Sequence, residues 1–198
     1  MVVETKKENL CINLLVAKKE VTVEVESDVI IPDIKPDILN PINTSGNVFV
    51  YKRDVLDGKI KLDGSVNIYV MYMPDEENQC VRGLNTNVDF SQVIEIDESR
   101  MGMSCDERIE IKQIECRVLN GRKINLKVTM QIGVKLYSNE NMDLIKEIEN
   151  CADAQILNDN LQVNSVVGSG NNKVYIKESI TIDEANNLAE ILKMEFNI

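Results

Sequence analysis

The order of apolar and polar residues predicts a chain built mainly of β-strands. Apolar side chains occupy every second position from residue 124 to 136 and from 21 to 25, and also from 60 to 72 with Gly64 as the one interruption. Period-two alternation places these side chains on one face of an extended strand, so each run predicts a half-buried strand. Helical periodicity occurs only near the C-terminus, where residues 184–193 predict one helix.

Two hairpin turns divide the strands. Asp57–Gly58 and Asn120–Gly121 are dipeptides typical of two-residue turns, in which both central residues take positive φ. Their surroundings repeat, since VLDGKI at the first turn matches VLNGRKI at the second, with Arg122 as an inserted residue. Gly64 within its strand predicts a β-bulge, and a one-residue shift of the alternation between Ile111 and Ile114 predicts a second. The predicted fold is an antiparallel β-sandwich or partly open barrel with these hairpins at its centre.

A proline-rich corner, VIIPDIKPDILNPI at residues 29–42, separates the entry strands from the first hairpin. Prolines at positions 32, 36 and 41 fix their own φ and bias the preceding residues to extended backbone, which predicts a short, stiff corner. We expect the inward-facing residues to be Ile34, Ile38 and Leu39. The outward-facing residues, which form a candidate partner-binding site, are Asp33, Lys35 and Asp37.

A second candidate partner-binding site lies on the strand at residues 60–72, where Tyr69 and Met71 fall on the face opposite the alternating apolar residues. Either this strand is central and covered on both sides, or the two side chains belong to an exposed strip that docks another protein. An alternative function, a glycan- or small-molecule-binding β-module, would use exposed aromatic residues for stacking.

Composition excludes several partners. The net charge of −11 argues against nucleic acid and against an anionic membrane surface, because both require clustered basic residues. The N-terminal region has no apolar run long enough for a signal peptide or a transmembrane segment.

The sequence lacks the residues and motifs that catalytic sites and metal sites usually contain. The chain has no histidine, and its five cysteines are widely spread without a C-x-x-C pair, so we expect reduced cysteines and no metal site. No phosphate-binding loop, nucleophile elbow or dinucleotide motif occurs. The acidic pair Asp33 and Asp37 has no activating partner in the sequence. We therefore expect a protein that is not an enzyme and binds no cofactor.

The end of the chain repeats its beginning. At a constant offset of 151, residues 161–182 match residues 10–31 at alternating apolar positions. This repeat predicts a β-rich domain at residues 1–150, followed at 151–198 by a second copy of the entry strands and the C-terminal helix. That second part either packs on the first or begins a further repeat.

Five segments in order resemble the SPOCS domain, a module of spore-coat proteins in endospore-forming Firmicutes. They are IPDIKPDI, VLDGK, VNIYVMYMP, VDFSQVIEI and NGRKINLKV, and the likeness spans residues 21–137. The resemblance is nearest to clostridial coat-morphogenesis proteins that carry a C-terminal LysM module. Because no LysM segment is present, we expect this chain to correspond to the N-terminal part of such a protein.

The resemblance implies a function that composition does not. It implies a non-catalytic scaffold of the spore coat, located at the forespore surface in the mother-cell cytoplasm. The implied partners are coat morphogenetic proteins, among them the coat ATPase SpoIVA, and self-association is left open.

Overall fold

The computed structural model describes residues 4–77 and 80–149, together with residues 157, 159–160, 162, 174–179 and 181. Six strands make up the described part: β1 (Glu4–Ile30), β2 (Ile38–Leu56), β3 (Lys59–Pro74), β4 (Arg82–Glu95), β5 (Ser104–Asn120) and β6 (Lys123–Glu149). No helix able to cross a membrane occurs among these residues. The predicted helix at 184–193 lies outside the described residues, as does most of the predicted second part of the chain.

The strands form two antiparallel sheets, one in the order β1-β6-β5 and the other in the order β2-β3-β4. The prediction of a mainly β, antiparallel fold is confirmed. The central strands β3 and β6 contribute the alternating runs recognised in the sequence, and their even-numbered residues face the space between the sheets. Side chains such as Leu62, Ile68, Leu126 and Met130 are completely buried there. Burial of these aliphatic faces against each other provides the main stabilisation of the fold.

One side of the sandwich is nearly closed into a barrel. Strands β2 and β5 run side by side without backbone pairing, and side chains bridge them at two points. Thr44 Oγ1 donates a hydrogen bond to the carbonyl oxygen of Ile114 at 3.0 Å, and Arg53 donates to the carbonyl oxygen of Cys105 at 2.8 Å and pairs with Glu107. Between the bridges lies an open cleft of about 450 Å³. The two sheet edges therefore remain separate but close together.

Both predicted hairpins are present, but their turns differ. At the first, Leu56 pairs with Lys59 and Gly58 has a φ of 74°, as its sequence predicts. At the second, Asn120 pairs with Lys123, so the turn residues are Gly121 and Arg122. Gly121 does not take positive φ, and the Asn120 side chain instead accepts a hydrogen bond from the Arg122 amide at 2.9 Å. The inserted Arg122 therefore changes how this turn is made.

One predicted bulge is confirmed and the other is displaced. The β5–β6 register shifts between Ile111 and Gln113, where the sequence predicts it. The register of β3 with β4 runs unbroken through Gly64, so the prediction of a bulge in β3 is wrong. The shift occurs on the opposite strand, between Val50 and Lys52 of β2.

The sequence predicts two short entry strands at residues 10–16 and 21–26, but in the structure both belong to one long strand, β1. Residues 17–20, which interrupt the apolar pattern, still pair with β6. Beyond the sandwich, residues 4–15 of β1 and 137–149 of β6 continue as a two-stranded extension that we call the ribbon. The face of the ribbon that continues the core side carries Leu10, Leu14 and Met142, of which Leu14 is 50 % and Met142 is 40 % exposed.

Candidate interaction surfaces

The proline corner joins the two sheets between Ile30 and Ile38. Its backbone is held at both ends by the β5–β6 hairpin, since the amides of Ile31 and Ile38 donate to the carbonyl oxygens of Arg122 and Gly121 at 2.9 and 2.8 Å. A turn hydrogen bond joins the Lys35 amide to the Pro32 carbonyl oxygen at 2.9 Å. The corner is therefore a turn whose backbone is fixed by hydrogen bonds to the β5–β6 hairpin.

Two side chains of the corner point in the direction opposite to the prediction. Ile38 is buried as expected, but Leu39 is 43 % and Ile34 is 92 % exposed. Leu39 follows Ile38 on an edge strand, so the two side chains take opposite faces. Ile34 lies within the turn that starts at Pro32, and its side chain projects into solvent. The turn therefore exposes the apolar side chain of Ile34 to solvent.

Arg122 holds the corner in place from the facing hairpin. Its guanidinium donates to the carbonyl oxygens of Lys35 at 2.7 Å and Ile31 at 2.8 Å. The same group pairs with the carboxylates of Asp33 at 2.9 Å and Asp37 at 3.0 Å. The fork geometry of arginine makes these four contacts from one side chain. The sequence signal for this role is the insertion of Arg122 in the second hairpin motif, but the motif alone does not show which segment it contacts.

The candidate residues of the corner therefore differ in what they can offer a partner. Asp33 and Asp37 are exposed, but each carboxylate already pairs with Arg122. Lys35 is half-buried. Replacing either aspartate would change the anchoring of the corner as well as its charge. Ile34, which the sequence pattern places inside, is 92 % exposed and is the most exposed apolar side chain of the corner.

A second surface lies on the outer face of the β2-β3-β4 sheet. We call it the amide face and define it by three successive rows of cross-strand partners. The rows are Asn43–Met71–Gly83, Ser45–Tyr69–Asn85 and Asn47–Asn67–Asn87. None of these residues is charged. In the last row, the Oδ1 atom of Asn67 is buried and has no hydrogen-bond partner in the described part of the chain.

The two candidate residues of β3 belong to this amide face. Tyr69 and Met71 are half-buried between the flanking strands, and no strand of residues 4–77 or 80–149 packs across them. Within these residues β3 is the central strand of its sheet, as the first interpretation expects, but its outer face is not covered by another strand. Whether the surface binds a partner stays a prediction.

The buried cysteines allow a test of the strand register. Cys105 is buried and Cys116 half-buried, and burial raises the pKa of each thiol to about 11. Because the thiolate is the reactive form, a rise of two units above the ordinary value of 9.0 lowers its fraction at pH 8 roughly a hundredfold. We expect iodoacetamide to label exposed Cys11 and Cys80 first and Cys116 only slowly. Equal labelling of all five cysteines of the chain in urea is the control, and rapid labelling of native Cys116 would show that its strand register is wrong.

Comparison with known proteins gives one match. Residues 37–119 match the family model described as SipL, SPOCS domain. This stretch begins in the proline corner and ends in β5, so it includes β2, β3 and β4 with the amide face. No curated protein and no solved structure matches the chain. The match confirms the resemblance to the SPOCS domain found in the sequence and places that domain at residues 37–119.

Proposed function

We propose that this protein is a non-catalytic assembly module of the spore coat that binds other coat proteins through its proline corner. The observation that carries the proposal is the SPOCS match at residues 37–119, which points to a role connected with the spore coat. The site of action is the forespore surface in the mother-cell cytoplasm. The expected partners are coat morphogenetic proteins, with SpoIVA the partner that the resemblance implies.

The corner suits a binding role because it is rigid and exposed. Arg122 and the hairpin amides hold its backbone, so little conformational entropy is lost when a partner docks. An exposed apolar side chain surrounded by polar groups is a common centre of a protein interface. Ile34 is such a residue, with Asp33, Lys35 and Asp37 around it.

Pull-down of coat proteins from lysates of sporulating cells tests this proposal. The Ile34→Asp variant is expected to recover much less of its coat partner than the native chain, because a charge replaces the apolar contact. Because Ile34 is exposed, the substitution removes no core contact, and a thermal melt checks that the variant is still folded. Reversing the charge of Asp33 or Asp37 by substitution with lysine is a poorer test, because it also removes an ion pair with Arg122.

Val93→Asp is the matched control. Val93 is 53 % exposed on β4 and lies far from the corner, on the row that includes Lys61. We expect this variant to recover the same partners as the native chain. Equal recovery by the Ile34→Asp variant would remove the corner from the interface, and absence of every coat protein from the native pull-down would contradict the proposed function itself.

A further inference from the structure

The amide face differs in charge from the rest of the outer surface of the sandwich, including the remainder of its own sheet, where Lys61 pairs with Asp63 at 3.1 Å. The outer face of the β1-β6-β5 sheet carries ion pairs, including Lys127 with Glu24 at 3.0 Å and Arg108 with Glu110 at 2.8 Å. The amide face carries no charge over three consecutive rows, although 28 % of the residues in the chain are charged. Its uncharged character extends by one row at one end, to Asn40 and Met73. At the other end it stops, because the next row, Phe49–Ser65–Asp89, carries the exposed carboxylate of Asp89.

Folding does not require this difference. Both faces lie on the outside of three-stranded sheets, where charged side chains are readily solvated. Depletion of charge together with aromatic residues and methionine is typical of the centre of a protein interface. The composition of the amide face therefore indicates a surface that is covered in the working state.

We propose that the amide face binds the amide face of a second copy of this chain. The inference rests on the proposed assembly function, since it names one partner of that module. Two copies that each carry a net charge of −11 repel one another. They can approach most favourably through a surface that adds no further repulsion, and this is the uncharged face.

The chemistry of the face is also self-complementary. An asparagine side chain carries both hydrogen-bond donors and acceptors, so two identical rows related by a two-fold axis can pair donor with acceptor. Tyr69 and Met71 provide apolar contact beside the amides.

The size of the surface predicts weak association. The four uncharged rows span roughly 20 by 14 Å, or roughly 300 Å² a copy, from ordinary strand spacings. The pair would bury roughly 600 Å², which lies below the range of stable complexes. A contact of this strength becomes effective where many copies are gathered on one surface, because a second binding event is then intramolecular.

Sedimentation of the purified full chain over a range of concentrations tests the proposal. The native chain is expected to show a monomer–dimer equilibrium that tightens as salt is raised, because salt screens the repulsion between two acidic copies. The Asn85→Asp variant places a like-charge pair within the contact, and we expect dimerisation to weaken about tenfold or more. Asn85 is exposed on β4, so the substitution leaves the core unchanged.

Thr22→Asp is the control for net charge. Thr22 is also exposed on an outer strand, but it lies on the charged face of the other sheet, opposite Gln131. Dimerisation of this variant is expected to change less than about threefold, in line with the small effects of isolated surface charges.

Three results would overturn the proposal. The first is a native chain that stays monomeric to about 1 mM, where even a weak complex is populated. The second is equal weakening of the dimer by Asn85→Asp and Thr22→Asp. The third is a dimer that dissociates more readily as salt is raised. A monomeric chain would leave the amide face to a different uncharged partner, such as a neutral glycan or another protein. Since no coat protein is present in this experiment, its failure would not affect the result of the pull-down.

Discussion

Replacement of Arg122 by alanine is expected to lower the free energy of unfolding by about 2–4 kcal/mol, because one side chain satisfies two backbone carbonyl groups and two carboxylates. The carbonyl oxygens of Ile31 and Lys35 lie 2.8 and 2.7 Å from the guanidinium. The Arg122 side chain is 33 % exposed, and its ion pairs with the exposed aspartates therefore contribute less than the bonds to the backbone. Urea unfolding monitored by circular dichroism measures the change.

Two control variants separate the geometry of Arg122 from its charge. Arg122→Lys keeps the positive charge but loses the planar fork, and we expect it to recover only a minor part of the lost stability. Arg108→Ala removes an arginine that is 84 % exposed and pairs with Glu110, so no measurable change is expected. A fully stable Arg122→Ala protein would mean that the prolines and the backbone hydrogen bonds of Ile31 and Ile38 hold the corner without the guanidinium.

The Arg122→Ala variant also connects stability to the proposed function. If the corner binds by presenting Ile34 on a rigid turn, loosening the turn should weaken partner recovery even at temperatures where the protein remains folded. The physical reason is that binding would then have to pay the entropy of ordering the turn. This expectation is specific to a corner that acts as a binding site.

Local pattern predicted the central strands well because burial on one face imposes a period of two. The alternating residues of β3 and β6 are buried in the structure. Turn dipeptides predicted the two hairpins, and a break in the alternation predicted one bulge. These features depend on neighbours in the sequence, so the sequence alone is enough to find them.

The errors have two causes, a local turn that the apolar pattern does not show and contacts between distant segments. The sequence pattern places Ile34 inside because it is apolar, but the turn at Pro32 directs it outward. The interruption at residues 17–20 ends a pattern but not a strand, because the pairing with β6 continues. Arg122 was visible as an insertion, while its role depends on a corner more than 80 residues earlier in the chain. The amide face likewise appears only when the registers of three strands are known.

Replacement of Gly64 by alanine is expected to destabilise the protein by about 2–4 kcal/mol, because the added methyl group has no space. Gly64 faces the core on β3, directly opposite Phe90 on β4. A Cβ atom there would lie 2.5 Å from the carbonyl oxygen of Phe49 and 2.5 Å from the Cζ atom of Phe90. The backbone contact cannot be relieved by a change of side-chain rotamer alone, so the sheet itself must shift. Thermal and urea unfolding measure the loss.

Gly133→Ala is the matched control for this prediction. Gly133 lies on β6, the central strand of the other sheet, and a Cβ atom there would have its nearest neighbour at 3.7 Å. Its substitution should leave stability unchanged or raise it by up to about 1 kcal/mol, since alanine loses less backbone entropy on folding. In the Gly64→Ala background, Phe90→Leu should restore part of the stability, because the two substitutions share one contact and are not additive. Equal unfolding midpoints for Gly64→Ala and Gly133→Ala would show that Phe90 does not pack over Gly64, and the register between β3 and β4 would then have to be reassigned.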